Sequence, residues 1–414
     1  MSVRKRIWTN AKGEQQEAWI VDYVDQHGRR HIKTFSKKKA ADGYHATVVV
    51  EVREGRHTAD SDSITVAEAG KHWIGTCEAN NLERTTTEEY QRHLDLHITP
   101  YLGNVKLSKL TAPMVSEFRT KLRNGTPAPG EETGTMRSPA MVKKILCSLS
   151  SLLGDAHEVG YVAQNVVRSL SRRKKKRSKV EQRRKLKVGV DIPTPDEIKA
   201  IVGKLNGRWR PLLLTAIFTG LRASELRGLR WSDVDLAKAE LHVHQRADRY
   251  NKIDAPKSEA GERTVPLPPV VVSTLREWKM ACPKGGLDLV FPNGAGKVET
   301  RTNITNRGLI PVQIAAGVCT IVKDDDGKVV LDDNGKPARK AKYGMHALRH
   351  FYASWCINRR EDGGLELPAK VIQERLGHSS IVITMDVYGH LFPRGDDAAK
   401  LAEAERHLLG LNAT

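Results

Sequence analysis

The sequence predicts a multidomain protein that is mainly α-helical and carries small β-sheets. Its 414 residues exceed one ordinary domain, and this length favours two or three domains, each able to bury a core. Apolar and polar residues alternate with a period of two near the amino terminus, which is typical of strands. From Thr65 to about Leu170 the apolar residues recur at helical spacing instead. Beyond residue 191 both patterns occur, which predicts a third, mixed α+β region.

Residues 1–58 are predicted to form a three-stranded sheet with one helix. The alternating runs Arg4 to Trp8, Trp19 to Val24 and His31 to Phe35 predict the strands, and the helix is expected from about Lys37 to Val52. A small domain with a purely structural role would show the same sequence pattern. DNA binding is favoured because many cations fall on this one unit, namely Arg4, Lys5, Arg6, Arg29, Arg30 and Lys37 to Lys39.

Residues 62–170 are predicted to form a four-helix domain with short connections. Each helix shows a single apolar stripe. The stripes are Val66, Ala69 and Trp73; Tyr90, Leu94 and Ile98; Met114, Phe118 and Leu122; and Val142, Ile145, Leu149, Leu152 and Leu153. Such stripes usually form a core, so they indicate fold and not function.

A basic linker is predicted at residues 171–190. Between Arg172 and Lys187 there are eleven Lys or Arg residues and one Glu, and the whole chain carries a formal net charge of +19. A polyanion attracts such a run through counterion release, so nucleic acid is the expected partner, although a merely solvated linker is the alternative. The predicted DNA-binding residues are Arg172, Arg173, Lys174, Lys175, Lys176 and Arg177.

The domain expected at residues 191–414 begins with a helix signal in which Thr194 is the N-cap and Pro195 the first helical residue. Further patterns predict helices at about 209–229 and 344–360 and a final helix from about Asp397 to Leu409. Strands are expected around Leu241 to His244 and Arg263 to Leu267, and a surface hairpin is expected around Val329 to Leu331.

Cysteine usage and hydropathy limit the environment of the protein. The five cysteines are scattered, with no Cys-x-x-Cys pair, which argues against a disulfide framework or a zinc knuckle and fits a reducing cytosol. No run of about eighteen apolar residues occurs, so neither export nor membrane insertion is expected.

Several basic residues have the chemistry needed to cut a phosphodiester without a metal. Such a reaction needs cations on the nonbridging oxygens, an in-line nucleophile and an acid for the leaving oxygen. Arg222 follows Gly220 at a break in an apolar run, and Glu225 lies one turn away, in position to hold the guanidinium. Lys257 is expected at the tip of a hairpin. Taken alone, each of these two could be an ordinary surface cation.

The segment His346-Ala347-Leu348-Arg349-His350 adds a second cationic group. His346 and Arg349 share a helix face and are placed to address one phosphate. His346 and His350 also have the spacing of a zinc helix. That motif requires Glu immediately after the first His, where this chain has Ala347, so no metal site is expected.

The nucleophile candidate is Tyr388, ten residues after His378 in the run Leu376-Gly377-His378. A phenol with its ordinary pKa near 10 attacks only when neighbouring cations favour the phenolate, and the basic groups above are expected to do this. Tyr352 lies on an apolar stripe with Leu348 and Trp355, so it is expected in the core.

Taken together, these motifs resemble the tyrosine recombinases, in particular the phage-type integrases. The resemblance implies that Tyr388 attacks the scissile phosphate to give a 3′-phosphotyrosine. Arg222 and Arg349 would then clamp the phosphate, Lys257 would protonate the leaving 5′-oxygen, and His346 and His378 would assist, with Glu225 and His350 in support. Residues 1–58 would bind arm sites, 62–170 the core site, and 191–414 would be catalytic.

The same resemblance implies the partners and the reaction setting. The expected partners are double-stranded attachment sites and three further copies of the chain in a homotetramer, with an accessory DNA-bending protein and an excisionase as further candidates. No cofactor is expected, because the phosphotyrosine conserves the bond energy, and the expected location is the bacterial cytoplasm at the nucleoid. The alternatives are a chromosome-dimer resolvase, a topoisomerase-like enzyme and a non-cutting DNA-binding regulator.

Overall fold

The computed structural model of the protein describes residues 1–10, 13–26, 28–55, 57, 59, 63–162, 164–168, 185–256, 258–324, 326–393 and 398–410. It divides into two compact units, Met1–Glu181 and Gln182–Thr414. Helix accounts for 50% of the structure and strand for 15%, which confirms the predicted class. Within the described part, each helix is too short or too polar to cross a bilayer.

A three-stranded antiparallel sheet begins the first unit. Its strands are Ser2–Thr9, Gln15–Val24 and Arg30–Phe35, with the middle strand paired to both others, and the helix Lys38–Arg53 packs on one face. The core under that helix contains Val21 and Tyr23. The three strands and the helix follow the sequence prediction.

A helical body with its own apolar core completes this unit. Its helices are Val66–Ala79, Arg84–His93, Thr99–Leu102, Ala112–Asn124 and Pro139–Glu158, and a π-helical stretch, Leu94–Ile98, joins the second to the third. A 3-10 turn spans Leu107–Lys109. The predicted stripe residues Trp73, Phe118 and Leu149 are all buried in the core. The domain boundary near residue 60 stays a prediction.

The second unit surrounds a large apolar core with helices and three small sheets. Its helices are Pro195–Lys204, Trp209–Thr219, Ala223–Gly228, Pro269–Ala281, Arg301–Asn303, Ile310–Ala315, Met345–Ile357, Ala369–Leu376, Ile381–Tyr388 and Ala398–Leu409. A π-helical stretch spans Ile304–Leu309, and 3-10 turns span Trp231–Asp233, Glu259–Gly261 and Gly389–Leu391.

The strands of this unit are short and antiparallel. Val234–Asp235, Glu240–Val243 and Arg263–Pro266 form one sheet in that order; Arg246–Ala247 pairs with Ile253–Asp254; and Cys319–Ile321 pairs with Arg339–Ala341. Bridges between Lys323 and Val329 and between Leu331 and Pro337 complete the surface hairpin expected near Val330.

The continuous helix predicted at 209–229 is wrong, because the chain breaks at Gly220. This glycine ends the first helix in the left-handed region, with φ of +64°, and a new helix starts at Ala223. A Cβ on Gly220 would lie 2.4 Å from Cδ1 of Tyr352, so only glycine fits there. The break allows Arg222 to leave the helical path.

Replacing Gly220 with Ala is expected to destabilise the second unit by about 2–5 kcal/mol, the sum of left-handed strain and overpacking against Tyr352. Thermal unfolding of the full chain measures this loss. Gly203→Ala is the matched control, because its helical site has open space around it, and it should leave the transition unchanged or raise it slightly. Equal behaviour of the two variants would contradict the packing argument.

Candidate active site

The site is built from Arg222 outward. Arg222 is the N-cap of the helix Ala223–Gly228, and its backbone N–H donates to Oε2 of Glu225 at 2.8 Å. Its Nη1 donates to Oε1 of the same carboxylate at 2.7 Å. The side chain of Arg222 remains 38% exposed, so it is fixed at one edge and accessible at the other.

Glu225 also binds a second arginine, which is buried. Arg263 donates from Nη2 to Oε2 at 2.8 Å and from Nη1 to Oε1 at 3.2 Å. Burial alone would raise the pKa of Glu225, but the hydrogen bonds and charge of Arg263, with the charge of Arg222, lower it to about 2. The carboxylate is therefore charged at neutral pH and holds both guanidinium groups.

Arg263 connects this carboxylate to two further segments. Its Nε donates to the carbonyl of Arg375 at 2.8 Å, and its Nη1 donates to the carbonyl of Gly261 at 2.8 Å. The first carbonyl belongs to the helix that precedes His378, and the second to the turn that follows position 257. One buried side chain thus fixes three parts of the site.

Arg349 lies beside Arg222 and is fully buried. Its Nη1 donates to the carbonyl of Gly220 at 2.7 Å, and its Nη2 donates to the carbonyl of Leu376. Arg222 donates from Nη2 to the next carbonyl, that of Gly377, at 3.1 Å. Burial and the charge of Arg222 lower the pKa of Arg349 to about 9, so it stays charged at neutral pH. The two guanidinium groups thus contact successive carbonyls of the 376–378 segment.

His378 follows directly, and its ring lies near that of Tyr388. The two rings are parallel within 8°, with centroids 6.4 Å apart, and His378 Nδ1 is 2.9 Å from the hydroxyl oxygen of buried Thr384. Burial, then Arg349 and Arg222, lower the pKa of His378 to about 4. The imidazole is therefore neutral at pH 7.

Tyr388 is the last residue of the helix Ile381–Tyr388, and only 2% of it is exposed. Its hydroxyl oxygen lies 2.7 Å from Nδ1 of His350. Burial raises the pKa of Tyr388 to about 12, although the charges of Arg349 and Arg222 oppose this. The cations favour the phenolate as expected, but burial has the larger effect, so this phenol is less acidic than free tyrosine.

His346 and His350 meet on one face of the helix Met345–Ile357, with ring centroids 4.5 Å apart and edge to face. Desolvation and then Arg349, Arg222 and Arg301 lower the pKa of His346, whose outer surface nevertheless remains exposed. The described residues contain no group of three or more side chains able to hold a metal ion.

Two sets of predicted site residues cannot be placed. Lys257 and the six linker cations, Arg172, Arg173, Lys174, Lys175, Lys176 and Arg177, lie outside the described residues. The predicted hairpin around position 257 is wrong, since the flanking strands pair elsewhere: Ile253–Asp254 with Arg246–Ala247, and Arg263–Pro266 with Glu240–Val243. Competing pairings are not visible in the local pattern.

Arg263 and Thr384 were missed by the sequence reasoning. Arg263 begins a strand whose alternation buries Arg263 and Val265 while Thr264 and Pro266 are exposed. An arginine on the buried register of a strand needs a buried partner, so this pattern was a usable signal. Thr384 carried no comparable signal.

Two family models match the chain. One, described as the phage integrase family, matches residues 193–394, and the other, the N-terminal SAM-like domain of phage integrases, matches residues 65–123. A tyrosine recombinase XerC-like protein of Caldanaerobacter subterraneus subsp. tengcongensis is 26% identical, over 89% of this chain and 90% of the relative. The ICEBs1 integrase of Bacillus subtilis is 24% identical, over 78% of this chain and 77% of its own.

Solved structures share the fold. A fragment of the Tn1549 transposon integrase, in complex with transposon right end DNA, aligns with a TM-score of 0.60 at 18% identity, covering 83% of this chain and all of the fragment. A lambda integrase dimer bound to a core site aligns with a TM-score of 0.51 at 17% identity, covering 94% of this chain and 95% of its own.

This chain belongs to the phage integrase family of tyrosine recombinases, enzymes that cleave and rejoin DNA through a catalytic tyrosine. Within that family it is a site-specific recombinase of the kind that integrates or excises a prophage or an integrative element.

Replacing Arg263 with Met is expected to destabilise the second unit by about 3–5 kcal/mol, because it leaves Glu225 buried with part of its charge uncompensated. The double variant Arg263→Met/Glu225→Met should lose less than the sum of the two single variants. Urea unfolding followed by circular dichroism measures both.

The exposed pair Lys238–Asp235 supplies the control for this cycle. Its atoms are 3.8 Å apart and both side chains face solvent, so Lys238→Met should change stability by less than about 0.5 kcal/mol. Additive losses at Arg263 and Glu225 would contradict the shared role of the carboxylate.

Proposed function

We propose that Tyr388 is the nucleophile of this recombinase and that Arg222, Arg349, His346, His378 and Lys257 assist it. Tyr388 Oη forms a bond to the scissile phosphorus as the bond to the 5′-oxygen breaks, leaving a 3′-phosphotyrosine and a 5′-hydroxyl. A 5′-hydroxyl from another strand reverses these steps. The observation that carries the proposal is that Arg222 and Arg349 donate to adjacent carbonyls of the segment leading to His378, whose ring lies parallel to that of Tyr388 with centroids 6.4 Å apart.

The two arginines are assigned to the nonbridging oxygens. A guanidinium presents a planar fork that matches two phosphate oxygens and keeps its charge. Arg222 has one edge on Glu225 and is 38% exposed, which leaves surface for a ligand. Arg349 is buried next to it and adds positive charge where the transition state gains negative charge.

The remaining roles rest on the family resemblance together with local geometry. Lys257 is assigned as the acid for the leaving 5′-oxygen. His346 and His378 are assigned to hydrogen bonding at the phosphate, because both lie near the two arginines. Burial and then the charges of Arg349 and Arg222 lower the pKa of each imidazole.

Tyr388 must become more accessible than it is in the structure to reach a phosphate. Its helix is eight residues long, and only Thr384 and Tyr388 of that helix are buried. Four apolar side chains of the same helix are 40–60% exposed: Ile381, Val382, Ile383 and Met385. Few buried contacts mean that local release of this helix is inexpensive relative to global unfolding.

The assembly follows the same proposal. Residues 1–58 bind arm sites, 62–170 bind the core site, 171–190 form the basic linker, and 191–414 carry the chemistry. Four copies act on two duplexes in the bacterial cytoplasm, with an accessory DNA-bending protein and an excisionase as further partners. The net charge of +19 supports a polyanionic partner.

Tyr388→Phe should abolish covalent attachment to a nicked core-site substrate and leave its affinity within about twofold, because only the attacking oxygen is lost. A denaturing gel detects the adduct and a gel shift reports binding. Tyr352→Phe, at a neighbouring tyrosine of the core, is the control and should keep the adduct. An adduct that survives in Tyr388→Phe would refute the assignment, and a wild-type chain that binds without any adduct would indicate a non-cutting regulator.

Replacing the six cations from Arg172 to Arg177 with Gln should reduce the slope of log K against log salt by up to about 5, since each phosphate contact contributes about 0.9. Fluorescence anisotropy between about 50 and about 200 mM salt measures this slope. Tyr388→Phe keeps all charges and should keep the slope. An unchanged slope in the Gln variant would mean that this run is a solvated connector.

A further inference from the structure

The hydroxyl of Tyr388 has one partner that the assigned roles do not use. Among the described side chains, His350 is the one hydrogen-bonded to this oxygen, at 2.7 Å from Nδ1. His350 lies on the helix Met345–Ile357, directly after Arg349, and is partly buried. It is therefore fixed by a rigid element next to a phosphate-binding arginine.

The protonation states limit the direction of this hydrogen bond. Burial, then His346 and Arg349, lower the pKa of His350 to about 4, with Asp191 opposing them, whereas the pKa of Tyr388 is about 12. At neutral pH the phenol therefore keeps its proton and the imidazole is neutral. In the tautomer that carries its proton on Nε2, Tyr388 donates and Nδ1 of His350 accepts, which is the arrangement that a general base requires.

The other two imidazoles are less well placed to accept this proton. The ring of His378 is parallel to that of Tyr388 with centroids 6.4 Å apart, and its Nδ1 is 2.9 Å from the hydroxyl oxygen of Thr384, not from that of Tyr388. His346 contacts the ring of His350 edge to face and so supports the base indirectly. The contact of 2.7 Å distinguishes His350 from both.

We propose that His350 is a further catalytic residue, the general base that receives the Tyr388 proton as the phenol attacks phosphorus. This rests on Tyr388 being the nucleophile. As the Oη–phosphorus bond forms, the Oη–H electrons become available and the proton moves to Nδ1 of His350. The bond to the 5′-oxygen breaks, and that oxygen takes its proton from Lys257. On rejoining, the imidazolium returns the proton to the departing phenolate.

The large pKa difference between the two groups makes full transfer before attack unfavourable. Proton transfer to His350 therefore accompanies bond formation, when the phenol oxygen shares its electron pair with phosphorus and its proton becomes more acidic. Burial is the largest cause of the lowered pKa of His350, and the charge of Arg349 adds to it. A phosphate bound by Arg349 offsets that second contribution, so His350 becomes a stronger base when substrate is bound.

The first test compares wild type with His350→Gln and His350→Ala in single-turnover formation of the covalent adduct on a nicked substrate. Gln keeps a side-chain acceptor near the hydroxyl but cannot take up a proton. We expect both variants to bind DNA normally and to cleave about 10²–10⁴-fold more slowly. A Gln variant that cleaves at the wild-type rate would show that His350 only positions Tyr388. An Ala variant that cleaves faster than wild type would show that the contact holds Tyr388 in an inactive position. Either result overturns the proposal.

The second test separates the base from the acid. A 5′-bridging phosphorothiolate supplies a leaving group that needs no proton, so it should restore cleavage in Lys257→Ala but leave His350→Gln slow. Restoration of both would overturn the assignment of His350. If wild type forms no adduct, or Tyr388→Phe still forms one, the nucleophile itself is wrongly assigned, so this failure is distinct from that of the base.

Discussion

The buried carboxylate of Glu225 is the contact on which the site depends. It binds Arg222, which is partly exposed, and Arg263, which is buried, and each of these arginines donates to both of its oxygen atoms. Removing the negative charge would leave Arg222, Arg263 and Arg349 crowded together without local compensation. The carboxylate offsets part of their repulsion and leaves a positive surplus, which suits a site that has to attract a phosphodiester.

Backbone carbonyls also hold the two arginines in place. Gly220, Leu376 and Gly377 accept hydrogen bonds from Arg349 or Arg222, so each guanidinium is fixed by the main chain as well as by charge. Gly377 is also left-handed, with φ of +62°, and a Cβ there would lie 2.8 Å from the carbonyl oxygen of Ala260. The close approach of these segments requires glycine at the two points where the chain turns.

The sequence was sufficient for the fold class and for naming several residues that the structure brings together, because both depend on local patterns. Thr194 begins its helix with a capping box, and Tyr352 is buried as its stripe predicts. Long-range contacts were not accessible in this way. The break at Gly220 depends on the ring of Tyr352, and the strands around position 257 choose partners outside the local pattern. The raised pKa of Tyr388 likewise results from burial, which residue order alone does not specify.

The Ile381–Tyr388 helix has only two buried side chains, and this affects when Tyr388 can react. The phenol of Tyr388 is buried and protonated, and its helix has few other buried side chains, so it is a poor nucleophile until its surroundings change. Under the role proposed for Tyr388, the same chain can search long stretches of DNA without nicking them. Breakage then requires an event that shifts one short helix, so fidelity can be controlled by assembly as well as by the sequence of the target.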